Sequence, residues 1–68
     1  MEEHYPKLKK LIEGIHYGQT VGYYVGELDD QQEKNVVKMI KKIAKRNLIE
    51  IHIRWSADKQ TVKITEVF

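Results

Sequence analysis

Cysteine is absent from this 68-residue chain. That excludes disulfides, Cys-based metal centres and any thiol nucleophile. Small secreted domains usually need such staples, so a cytoplasmic home is expected. No apolar run approaches the ~20 residues of a membrane span, and no signal-peptide core follows Met1, so no membrane partner is expected. Linkers, repeats and low-complexity segments are also missing. One domain over residues 1–68 is the expectation.

What is present suits a folded protein: 41% of residues are hydrophobic and 32% are charged. Twelve Lys and Arg against ten Asp and Glu leave a formal charge of +2, too small to imply a polyanionic partner by itself. The distribution says more. From Glu27 to Glu33 there are four acids (Glu27, Asp29, Asp30, Glu33) and no base. From Lys34 to Arg46 there are six bases (Lys34, Lys38, Lys41, Lys42, Lys45, Arg46) and no acid.

The single proline, Pro6, fits the first position of a short helix, where its missing N–H costs nothing. Leu8, Leu11, Ile12 and Ile15 follow at helical spacing, and Gly14 weakens the last turn. The four glycines, Gly14, Gly18, Gly22 and Gly26, are spaced by four. A soluble helix through them would lose about 1 kcal/mol at each. Gln19 to Glu27 therefore reads as a strand, with Val21, Tyr23 and Val25 on one face and Gly22, Tyr24 and Gly26 on the other.

The clearest element is a helix from Asp30 to Arg46. Asp29 or Asp30 can cap it, each with Gln32 or Glu33 at capping-box spacing. Val36, Val37, Ile40, Ile43 and Ala44 form its buried stripe, with Met39 at the margin, and Asn47 can close it in a left-handed conformation. Leu48 to Trp55 alternates as a strand, with Ile49, Ile51, Ile53 and Trp55 inward and Glu50, His52 and Arg54 outward. Ser56 to Gln60 is a hairpin turn, and Thr61 to Phe68 returns with Val62 and Ile64 inward.

The fold class expected is a small α+β domain ordered helix, strand, helix, strand, strand. Its three-stranded sheet, antiparallel or mixed, packs against one long amphipathic helix. Three strands cannot close, so two edges remain, and an edge can pair with a second copy in a homodimer.

The first candidate site is the basic row. Lys34, Lys38, Lys41 and Lys45 share a helix face opposite the core stripe, flanked by Lys42 and Arg46. Bases at a helix C-terminal half suit the macrodipole without any ligand, and lysines also keep a face solvated. Six unbroken bases exceed what the dipole needs, and such a row can neutralise phosphates. The second candidate is aromatic. Tyr17, Tyr23, Tyr24 and Trp55 could stack bases on an open sheet face or anchor a protein partner, although one or two are expected to complete the small core. Third, Glu50 and His52 share a strand face as a conceivable acid–base pair; an exposed ion pair is the ordinary alternative. His4, His16 and His52 have no metal-ligand spacing, no cofactor is implied, and an enzyme is not expected.

Val36 to Glu66 resembles the second half of a winged-helix regulator of the MarR type, in which a recognition helix runs into a β-hairpin wing. Ile40, Ile43, Lys45, Arg46, Asn47, Leu48, Ile49 and Glu50 carry the likeness, with Asp58 in the wing turn and Ile64-Thr65-Glu66 as the return. It implies that Lys34, Lys38, Lys41 and Lys42 face a major groove, with Lys59 near the wing tip. Such a fold needs a further helix where Thr20 to Glu27 reads as strand.

The expected function is a small non-enzymatic protein that binds nucleic acid, or regulates through it, using Lys34, Lys38, Lys41, Lys42, Lys45 and Arg46. Arg54, Lys59 and Lys63 are auxiliaries. The alternative is a bacterial or phage inhibitor or adaptor that binds protein through a sheet edge or through Tyr23, Tyr24 and Trp55.

Overall fold

The computed structural model describes residues 2–67. A 3-10 turn at Glu2–His4 leads into α1 (Pro6–Glu13), β1 (Thr20–Tyr24), α2 (Asp30–Arg46), β2 (Ile51–Trp55) and β3 (Thr61–Glu66). The sheet is antiparallel with order β1-β3-β2. β2 and β3 form the hairpin, while α2 carries the chain across the sheet from β1 to the opposite edge. This is the α+β domain that the pattern of the sequence predicts.

Both helices cover one face of the sheet. Leu8, Ile12 and Ile15 from the α1 region meet Val36, Met39, Ile40 and Ile43 of α2 and Val62 and Ile64 of the central strand. Seven of these side chains are fully buried, and among the described residues no polar side chain is buried. Val21, Tyr23, Ile51, Ile53 and Trp55 complete the layer from the two edges.

Several local expectations shift. The core stripe of α2 takes Met39 (4% exposed) in place of Val37, which is only half-buried. The cause is α1, which packs beside α2 and rotates its stripe toward the Met39 side. Leu11 is 36% exposed, off the stripe of α1 that buries Leu8 and Ile12.

The end of α2 also differs. Asn47 has φ −95°, and the left-handed residue is Leu48 at φ 58°. Leu48 N–H donates to Lys45 O at 3.1 Å and Ile49 N–H to Ala44 O at 3.0 Å, the paired closure of a Schellman motif. That closure consumes residues 48–50, so β2 starts at Ile51 and not at Leu48. β1 is likewise shorter than Gln19 to Glu27. Gly26, at φ 77°, turns the chain, and Val25 and Gly26 N–H both donate to Gln60 O. β3 ends at Glu66, and Phe68 lies outside the described residues.

The winged-helix likeness does not extend to the fold. Residues 20–24 are strand, and among the described residues a single helix joins β1 to β2. No helix-turn-helix pair is formed, so α2 is not the second member of one.

Candidate nucleic-acid interface

α2 is well specified by its own sequence. Asp29 Oδ1 accepts from Gln32 N–H at 2.7 Å, and Gln32 Oε1 accepts from Asp29 N–H at 2.9 Å. This capping box satisfies two donors that the helix would otherwise leave unpaired. Asp30 and Glu33 sit at the positive end of the helix dipole, with Lys45 and Arg46 at the negative end.

Burial of Val36, Ile40 and Ile43 fixes the rotation of the helix, and the opposite side is what solvent meets. Lys34, Lys38, Lys41, Lys42 and Lys45 are all exposed. Lys34 to Lys45 covers three helical turns, roughly 16 Å along the axis. Asp30 lies one turn before Lys34, yet among the described residues no carboxylate forms an ion pair with any of these five amines.

Arg46 stands apart from that row. Its Nη1 and Nη2 donate to the two carboxylate oxygens of Glu2 at 3.0 and 2.8 Å. The guanidinium holds the Glu2 carboxyl below its ordinary range, and the carboxylate raises Arg46 in return. Six expected cations therefore become five available ones and one engaged. No spacing rule could have signalled Glu2, which is 44 positions away. Lys38 and Lys42 also border an open groove of 870 Å³ between α1 and α2, whose other walls include Glu2, Lys9 and Glu13. Its charge is mixed, unlike the outer row.

The aromatic candidates do not form one surface. Tyr23 faces the helices and meets Tyr5 edge to face, with ring centroids 6.5 Å apart at 80°. Trp55 also faces inward, half-buried at the β2 edge, where it lines a 460 Å³ hollow with Val37, Lys34 and Lys38. Tyr24 alone lies on the uncovered face of the sheet, 68% exposed. Tyr17 lies outside the named strands, in an isolated bridge with Glu66.

Glu50 and His52 are both exposed, with no hydrogen bond between them. Among the described residues no three His, Asp or Glu side chains are grouped to hold a metal ion. Asp58, in the hairpin turn, is occupied structurally. It accepts from Gln60 N–H at 3.0 Å and from the Ser56 hydroxyl, and these bonds lower its pKa. Lys59 is exposed at that turn, with φ 60°. No helix among the described residues is long and apolar enough to cross a membrane. No protein-family model, curated protein or solved structure matches this chain.

Proposed function

We propose that the protein binds nucleic acid through the phosphate backbone, using Lys34, Lys38, Lys41, Lys42 and Lys45. The observation that carries this reading is the row of five exposed amines on one rigid helix without a carboxylate partner. Their like charges repel one another along the helix, and although Glu2 lies within electrostatic reach of Lys42, no described carboxylate forms an ion pair with any of them. A polyanion would neutralise them, with release of its condensed counterions. Lysines on a single exposed face meet phosphates as point charges, so the binding is expected to be indifferent to sequence.

An electrophoretic mobility titration at two salt concentrations tests this. Binding at low salt that weakens steeply at higher salt is the expected result. The double variant Lys38→Glu, Lys41→Glu should lose it while keeping its thermal transition. Full binding by that folded variant would remove the assigned surface.

A second reading, docking of a protein, is favoured by the 460 Å³ hollow of Trp55 and Val37 beside the unpaired edge of β2. It would use an aromatic anchor in place of phosphate contacts. Salt-insensitive association, abolished by Trp55→Ala and untouched by the double variant Lys41→Glu, Lys45→Glu, whose positions lie outside the hollow, would select it.

A further inference from the structure

The face of the sheet turned away from the helices carries three features that the fold does not require. Arg54 and Lys63 are direct cross-strand partners. Like charges placed opposite each other in an antiparallel pair destabilise it, and neither has an acidic partner among the described residues. On the other side of Lys63, in the same cross-strand row, stands Gly22. Glycine inside a strand is unfavourable by roughly 0.5–1 kcal/mol relative to alanine. Nothing here demands it: its φ is not in the left-handed region, and an added Cβ would meet only Thr61 Cγ2, at an ordinary 3.7 Å. Third, Tyr24 exposes an aromatic ring one pleat along, about 7 Å from that row. Its hydroxyl donates to Gln60 Oε1 at 3.0 Å, which holds the side chain in place, and a Cβ at Gly26 would meet the ring edge at 3.9 Å.

The first two features cost stability, and all three fall on adjacent rows of one surface. Such local violations are expected where a surface is shaped for a ligand. The other outward residues of the strands are Thr20, Thr61, Thr65 and His52, none of them acidic. We infer that this face is a second binding site, distinct from α2, and that its ligand is a single strand of nucleic acid. Arg54 and Lys63 take the phosphates, the hollow at Gly22 lets the backbone approach the sheet, and one base stacks on the ring of Tyr24. A fixed aromatic platform beside a cationic row is the arrangement that binds single strands without sequence preference. A duplex keeps its bases stacked and offers none to Tyr24. The lysines of α2 point away from the opposite side of the layer, so one short strand cannot reach both surfaces.

Fluorescence anisotropy with labelled oligo(dT), oligo(U) and a short duplex tests the assignment on the full chain. Tyr24→Ala and Arg54→Ala/Lys63→Ala should each weaken oligo(dT) binding by roughly tenfold or more. Tyr24→Phe should retain most of it. Gly22→Val is the decisive variant, because filling the hollow should raise the Tm and still weaken single-strand binding. The same losses should persist in the Lys38→Glu, Lys41→Glu background, while duplex binding follows the lysines. Oligo(U) against oligo(dT) distinguishes an RNA strand from a DNA strand as the ligand. Wild-type affinity for both single strands in folded Gly22→Val and Tyr24→Ala overturns the inference and leaves the reading of α2 standing. So does single-strand binding that depends only on the lysines of α2.

Discussion

Arg46 at the end of α2 grips Glu2 at the start of the chain through two parallel hydrogen bonds of 3.0 and 2.8 Å. The pair is exposed, so it adds little to stability at neutral pH. Its consequence is electrostatic, since it withdraws one cation from the basic end of the helix. Glu2→Gln should release Arg46, tighten nucleic-acid binding modestly and leave the Tm almost unchanged at pH 7. The pH dependence has a fixed sign. Glu2 titrates below its ordinary 4.5 in the folded chain, so the contribution of the pair is intact above that value. It is lost as pH falls below 4.5 through the depressed folded value. The difference in Tm between wild type and Glu2→Gln, measured across pH, should vanish at the acidic end. A difference that grows on acidification contradicts this assignment.

Leu48 is 92% exposed and held at φ 58° by the Schellman closure of α2. A branched side chain in that region costs roughly 1–2 kcal/mol, part of which glycine would return through the entropy of the unfolded chain. Leu48→Gly should therefore stabilise the protein by about 0.5–1 kcal/mol, several degrees in Tm for a domain of this size. Calorimetry that shows a lower Tm would assign Leu48 a packing role that its exposure denies.

Much of this architecture is legible in the sequence, for identifiable reasons. The bounds of α2 follow from Asp29 and Gln32 at one end and the loss of periodicity after Arg46 at the other. The faces of β2 follow from strict alternation through Ile51, Ile53 and Trp55. What pairs across the chain is not legible. The burial of Met39 over Val37 depends on where α1 docks, and the engagement of Arg46 depends on a residue at the far end of the chain. The juxtaposition of Gly22, Lys63 and Arg54 depends on strand order, which alternation alone cannot supply. The lysine row was visible because it repeats along one helix. The basic face of the sheet is assembled from three strands, and only the register brings it together.

The capping box gives a local test of how α2 is anchored. Asp29→Ala removes the acceptor for Gln32 N–H and should cost about 1 kcal/mol. Asp29→Asn or Asp29→Ser should recover most of that. Because the cap lies outside the row of five lysines, binding per folded molecule should not change. Chemical denaturation measures the first effect and the mobility titration the second.

Ile43 is fully buried in the core cluster to which α1, α2 and β3 all contribute. Ile43→Ala should cost about 2–5 kcal/mol. A chain of 68 residues has roughly 3–10 kcal/mol in total, so the variant loses a large share of its stability. Loss of helical circular dichroism at a Tm lowered by about ten degrees or more, raised again by a duplex in excess, is the expected signature. Restoration follows because a ligand that binds only the folded state draws the equilibrium toward it.

The salt dependence of duplex affinity tests the central claim most directly. If three to five amines of α2 contact phosphates, log K against log[salt] should fall with a slope of about −3 to −4.5. In Lys38→Glu, Lys41→Glu the slope should be shallower by about two or more, with lower affinity at every salt concentration. An unchanged slope and affinity in that variant, with its fold intact, would show that the amines of α2 are not where the nucleic acid lies.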